Sequence, residues 1–483
     1  MAKGPNVANR AADPSTPSLA NASLAPMWGM IKDILAGAKA VRAAGKTYLP
    51  KFPAESNDEY DRRKDSAPWR PEFEDAIRAI SARPFTDEVK LVGEPSGDIA
   101  QLADDIDGRG NNLNTFAKDV FEGGVTLGAH GILVDFPSMQ AGATIADEKA
   151  AGARPYWVSV GADEIIAMRT TKIGRREVVT HLRLKETAIE TNGFEEKTVD
   201  RIRVLEPGKW EIWKPVANIA GSMEWVIESE GKLTLDEVPF VFYATAKRIG
   251  SQYVRPPLLD LADMQIELYR FLSTEEQIYT IAGSPMLTAN GMSAPTDGGA
   301  VETGPGRVLY APGFERIATS WDYIQPDAAN LTAISAKAAG IIEDMRRLGL
   351  QPMLPKTGNI TATASGVEAA KAHSAVGTWA NGLKDALEQA WVFTAKWMKS
   401  SEAVSVSVNT DFGVGLYEAD DLRVLLDSYK ANVISSETYI DELIRRDLLG
   451  PQFDPEANTE QLLAAVPVDI PDIVPPGGGG PQP

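Results

Sequence analysis

Three short constellations in this chain have residue types that do chemistry elsewhere. Ala44-Gly45-Lys46-Thr47 ends like a phosphate-binding loop, in which the N–H groups of a glycine-rich turn cradle phosphates and a lysine neutralises them. That loop needs a glycine five residues before Gly45, and Ala40 stands there. It also follows a strand, whereas Met27, Ile31, Ile34, Leu35 and Ala38 recur at helical spacing up to Gly45, so the glycine reads as a helix end. Asp105, Asp107 and Gly108 resemble half of a calcium loop, but Phe116 stands where a bidentate Glu should close it. They read as solvated acids at a helix start. Trp379, Trp391 and Trp397 have the type for stacking on bases, yet Trp379 and Trp391 fall on nearly one helical face, which favours a core or subunit contact.

Other chemistries fail on inventory. The chain has no cysteine, which removes disulfides, thiolate zinc sites, Fe–S clusters and Cys nucleophiles, and fits a reducing compartment. Its three histidines, His130, His181 and His373, show no metal-motif spacing, and His373 reads as a helix-packing side chain. No G-x-S-x-G elbow, H-E-x-x-H helix or G-x-G-x-x-G loop occurs. No metal, cofactor or catalytic group is expected.

The elements that would position any site are therefore the better guide. Residues 1–26 and 466–483 are rich in Ala, Pro, Ser, Asn or Gly and are expected to be disordered. Helices are expected from Pro26 to Gly45, from Pro71 with Phe73, Ile77 and Ile80, and after the turn DGRGNN. Gly131–Phe136 reads as a buried strand, and Ala153 to Thr245 as one antiparallel meander, with Leu182 and Leu184 alternating against Arg183 and Lys185 and a hairpin at Pro207-Gly208. Pro256-Pro257 suits the first turn of a long helix carrying Leu258, Leu261, Met264, Leu268, Phe271 and Ile278, with Asp260, Asp263 and Glu267 available to its polar side. A Gly- and Pro-rich excursion follows Gly283. A second long helix begins at Asp327, and its Leu331, Ile334, Ala338, Ile341, Met345 and Leu348 form the seam of a helix packed on another. A polar loop, LPKTGNITATAS, then enters a helix at Ser365, with Glu368 completing a capping box. A short strand, VSVSVNTDF, and a last helical pair close the chain.

The 483 residues, 43% hydrophobic and 24% charged, suffice for about three domains of ~150 residues or one large interleaved subunit. The net charge of −19 disfavours a protein that grips nucleic acid by neutralising phosphates. The N-terminus has no apolar targeting core, and no stretch reaches the ~18 apolar residues of a membrane span, so a soluble, unexported protein is expected.

In order along the chain, AISARPF (79–85), DDIDGRGNNLNTFAKDVFEGGVTLGAHGILVDFP (104–137), the helix pair around the excursion, RRLGLQPMLPKTGNITATASGVEAAKAH (346–373) and ISSETYIDELIRRDLL resemble the portal proteins of tailed double-stranded DNA bacteriophages. The resemblance implies an α+β subunit with a mixed wing (27–255), stem helices (256–283 and 327–349), a turn-rich clip with short strands (284–326), a tunnel loop (350–365), a wing return helix and strand (366–416) and a helical crown (417–465). It implies a ring of about twelve subunits at one capsid vertex of the virion, assembled in the host cytoplasm. The ring would pass double-stranded DNA without sequence specificity during packaging and ejection, and would dock the terminase large subunit, the head-tail adaptor, and the major capsid and scaffolding proteins. On this mapping Lys356, Thr357, Asn359 and Thr361 face DNA, Asp260, Asp263 and Glu267 line the channel, and Arg307, Glu315 and Arg316 lie in the partner-docking clip. The rivals are another structural virion protein, such as a minor head or baseplate component, and an enzyme of DNA packaging, whose ATPase half would require the missing phosphate loop.

Overall fold

The computed structural model describes residues 13–53, 55–93, 95–137, 153–217, 222–282, 286–291, 308–311, 319–324, 328–349, 362–410, 419–431, 433–445, 448–449, 453 and 457–458. The chain divides into two units, Met1–Asp411 and Phe412–Pro483. It mixes helix and sheet throughout, an α+β protein. None of the described helices is long and apolar enough to cross a membrane.

The first unit opens with α1 (Leu19–Leu35), which starts at Ser18, whose side chain accepts from the Asn21 N–H at 3.1 Å. The segment expected to be disordered up to residue 26 is thus helical from Leu19 onward, with Pro26 inside the helix. Tertiary contacts hold this start: the Ser18 N–H donates to the Ile166 carbonyl at 3.0 Å, the Asn21 side-chain amide to that of Ile165 at 3.0 Å, and Leu24 is fully buried. Gly37, at φ +80°, separates α1 from α2 (Ala38–Ala44). Gly45-Lys46-Thr47 is a single 3₁₀ turn ending α2, which is the helix-end reading of that motif.

Next come α3 (Asn57–Ser66), α4 (Glu72–Ala82), β1 (Lys90–Val92) and α5 (Gly97–Asp104). The chain then turns through DGRGNN into α6 (Leu113–Leu127). Asp107 accepts from the N–H groups of Arg109 (2.9 Å) and Asn111 (3.3 Å), and Asp105 from Gly110 at 2.7 Å. These acids fold the turn.

Three strands form the centre of the first unit, β2 (Ala129–Asp135) between β3 (Tyr156–Gly161) and, much later in sequence, β9 (Phe240–Ala244), all antiparallel. The expected single meander is thus two sheets. The other is β4 (Ile165–Ile173), β5 (Arg176–Asn192), β6 (Glu195–Glu206), β7 (Lys209–Ala217) and β8 (Met223–Gly231) in sequential antiparallel order. VPFVFY leaves the meander because its continuous apolar run suits a strand covered on both faces.

Helix α6 lies so close to the central sheet that an added Cβ at Gly124 would stand 2.4 Å from the Tyr243 ring, and one at Gly123 2.2 Å from His130 Nδ1. After α7 (Leu259–Ala282), the strands β10 (Met286–Asn290), β11 (Val308–Ala311) and β12 (Ser320–Ile324), and α8 (Ala328–Leu348), the long α9 (Ala362–Met398) returns to cover the same sheet. There Trp391 meets Trp157 edge-on at 5.2 Å, Trp157 donates to Thr394 Oγ1 at 2.8 Å, and Trp397 stacks on Phe136. Trp391 is thus a core residue, while Trp379 and Trp397 are half-buried. Because α9 begins at Ala362, Ser365 lies inside its first turn instead of capping it. β13 (Ser405–Ser407) then pairs antiparallel with β1.

The second unit contains α10 (Ala419–Lys430) and α11 (Ser436–Arg445), joined face to face by the stacked rings of Tyr429 and Tyr439, 4.6 Å apart. Ser435 caps α11 by accepting from the Thr438 N–H at 3.1 Å.

Candidate functional site: the paired helices and the small sheet between them

Helices α7 and α8 run antiparallel, and their contacts fix the register. At one end Gly349, just beyond α8, is buried so closely that an added Cβ would lie 2.9 Å from Ala76 and 3.4 Å from Leu261. Further along, Lys337 lies 5.8 Å above the Phe271 ring, and Ser335 donates to Glu275 at 3.0 Å while also bonding Tyr279. The shared seam buries Leu261, Leu268 and Leu272 of α7 and Ala338, Ile341 and Met345 of α8. The helix begins at Leu259, so Pro256-Pro257 lead into it from outside.

The Leu261 end is fastened to the helices before it. Buried Gln265 accepts from the Phe73 N–H at 3.1 Å and donates to the Arg70 carbonyl at 2.8 Å. Arg63 forms a two-pronged pair with Glu55 (2.7 and 2.8 Å), stacks over Phe52 at 4.3 Å and reaches Ser273 at 3.5 Å. The Arg63 hydrogen bonds hold the Glu55 carboxyl below its ordinary range although burial opposes ionisation. Arg346 bridges to Glu72 at 3.2 Å.

Asp260, Asp263 and Glu267 lie on the exposed side of α7, at the spacing of three and four that makes one stripe. Asp260 is paired with Arg255 at 2.6 Å, and the stripe ends at Arg270, whose Nε donates to the Tyr48 carbonyl at 2.6 Å. Neither contact was visible in the helical pattern, because Arg255 precedes the helix and Tyr48 is distant in sequence.

Between the helices, β10 pairs antiparallel with β12 and parallel with β11. The registers put Leu287, Ala289, Val308, Tyr310, Trp321 and Tyr323 on one face, with Trp321 and Tyr323 exposed. On the opposite face Asp322 accepts from Ser320 Oγ (2.7 Å) and Asn290 Nδ2 (3.0 Å). The sheet thus has an aromatic face backed by a hydrogen-bonded one, and both its edge strands are free of further pairing among the described residues, the kind of edge that a further strand can join. The expected docking residues Arg307, Glu315 and Arg316, and the expected DNA-facing residues Lys356, Thr357, Asn359 and Thr361, lie outside the described residues, as does the side chain of His373. The sequence reading passed over Trp321 and Tyr323. Their alternation in SWDYI was the available signal.

A family profile described as a domain of unknown function (DUF4055) matches residues 257–398, which takes in both helices, the strands between them and α9. No curated protein matches the sequence. Among solved structures, a chain from the virion of a native gene transfer agent particle aligns at 11% identity and a TM-score of 0.37, over 83% of this chain and 97% of that one. A chain from the neck of a native gene transfer agent particle, computed with C12 symmetry, aligns at 12% identity and a TM-score of 0.35, over 85% and 98%.

Proposed function

We propose that this chain is a structural virion protein and, more specifically, the portal subunit of a tailed phage or phage-like particle, forming a ring that passes double-stranded DNA. The observation that carries the reading is the antiparallel α7–α8 pair, anchored at one end in the helices around Phe73 and bearing at the other the excursion that contains the two-faced sheet. Its order matches the stem, clip, stem order implied by the sequence resemblance. The exposed acids of α7 suit a conduit: twelve chains of net charge −19 would repel DNA from the walls and let it slide. The sheet would dock the terminase and, later, the head-tail adaptor. Lys356, one positive charge per subunit, would touch passing phosphates weakly and reversibly. The chain would hydrolyse no nucleotide by itself.

Negative-stain imaging of the purified full chain tests the reading. Rings with a central hole are expected; a protein that stays monomeric at all concentrations overturns it. Within a packaging system, Lys356→Ala and Lys356→Glu are expected to leak packaged DNA early, Glu more than Ala. Unchanged retention in both variants removes Lys356 from the mechanism.

A further inference from the structure

The five-stranded sheet carries opposite charges at its two ends. Strand β5 alone spans 17 residues, so the turns flanking it lie about 50 Å apart at ~3.3 Å per residue. The turn at one end, Gly193-Phe194, tips a hairpin arm that leaves the sheet: Glu186–Asn192 of β5 pair only with Glu195–Arg201 of β6, because the partners on either side stop at Leu184 and Ile202. At its tip Phe194 is fully exposed and Ile189 is 66% exposed, ringed by Glu190, Glu195 and Glu196, with Lys197 beside them and Arg201 paired to Glu190 at 3.6 Å. Glu195 and Glu196 form no ion pair with any described residue.

The turn at the other end, Gly174-Arg175, shows the inverse. Ile173 is 63% exposed there, beside Lys172, Arg175 and Arg176. The Arg248 guanidinium bonds Glu177, which brings Lys247 and the 61%-exposed Ile249 to the same end. Arg176 is occupied by Glu237, but Lys172, Arg175 and Lys247 have no ion-pair partner among the described residues. One end is an apolar tip in an acidic collar, and the other an apolar patch in a basic collar.

A two-stranded ribbon in water is marginal by itself, and a fully exposed Phe on its tip gains only when covered. An apolar centre within a charged rim is the anatomy of a protein interface, and opposite rims select the partner and its orientation. Because both halves of this complementary pair belong to one chain, we infer that copies associate head to tail, the Phe194 arm of one seating on the Ile173 and Ile249 patch of the next. Such a contact is heterologous and closes into a ring when the angle between copies permits. The inference rests on the ring reading and supplies it with an interface.

Charge reversal in the full chain tests it. Glu195→Lys with Glu196→Lys puts a positive arm against the positive patch, and Lys172→Glu with Arg175→Glu puts a negative patch against the negative arm. Each pair is expected to weaken association at least tenfold at about 50 mM salt in sedimentation or mass photometry, the loss shrinking toward 0.5 M salt. The quadruple variant, and an equal mixture of the two double variants, restore opposite charges and should recover assembly to within about threefold of wild type. Phe194→Ser should weaken assembly while leaving the stability of the dissociated monomer unchanged. If the wild type forms rings indifferent to either reversal, or if the quadruple variant associates no better than the doubles, this interface is wrong and the ring reading stands. If the wild type never associates, both fall.

Discussion

The body around β2 and the distal hairpin of β5 and β6 are both built of antiparallel strands, yet they meet water in opposite ways. In the body one face of β2 is covered by α6, through glycines that admit rings at contact distance, and by α9, through Trp391 against Trp157, while Leu133 on the other face packs with Val160, Phe240 and the Ile165, Met168, Leu182, Leu184 and Leu205 side chains of the five-stranded sheet. In the hairpin beyond Lys185 no side chain is buried, and cross-strand ion pairs such as Lys185 with Asp200 stand in for a core. The body therefore completes itself within one chain, whereas the arm is shaped for a surface that the single chain does not offer it.

The sharpest break of this contrast is Trp391→Ala. Trp391 is 1% exposed and its indole N–H has no hydrogen-bond partner, so truncation removes packing alone; a loss of about 3–5 kcal/mol is expected in denaturant titration. A loss below about 1 kcal/mol would mean the α9 seam is not core. Next in size is acid sensitivity. His130 is buried with Nε2 on Ser159 Oγ at 2.7 Å, and burial lowers its pKa to about 4 against the attraction of Asp163. The folded body thus favours the neutral ring, while the unfolded chain takes up a proton as pH falls through ~6.5. Stability is full above that value and falls progressively until about pH 4, by about 3 kcal/mol for this one group. Comparing denaturant midpoints of wild type and His130→Gln at pH 7 and 4.5 checks it, and parallel losses in the two proteins would remove His130 as the cause. A smaller effect, about 1 kcal/mol, is expected for Ser18→Ala, which uncaps α1; an unchanged midpoint would show that the Ile165 and Ile166 contacts hold the helix without the cap. The smallest is Phe194→Ser in monomer stability, expected within about 0.5 kcal/mol, since nothing there is buried.

The same contrast explains what the sequence disclosed. Leu182 and Leu184 announced β5, and the three-four spacing of Leu261, Leu268, Ala338 and Met345 announced α7 and α8, because one covered face writes its period into the residues. α3 stayed hidden although Ser56 and Glu59 form a full capping box, for its sequence NDEYDRRKDS carries almost no apolar period. The matching motif at Ser365 and Glu368 misled for the converse reason: the helix had already begun, so the motif had no end to cap. The partnership of β9 with β2 was unreadable, since an apolar run records that it is buried and omits by what. At the candidate site the acid stripe was legible and the pairing of Asp260 with Arg255 was not, because an ion pair formed from outside a helix leaves no period within it.

The seating of Trp391 on Trp157, and of β13 on β1, also sets a clock. Lys90 waits for Ser407, and Trp157 for Trp391, so the surface that α9 covers emerges long before its cover does. At ~5–20 residues per second a ribosome leaves the Trp157 side uncovered for roughly 10–50 s. Over that interval the nascent chain presents the Trp157 side to water, and a slow stretch of translation between residues 160 and 390 would lengthen the exposure without altering a single native contact.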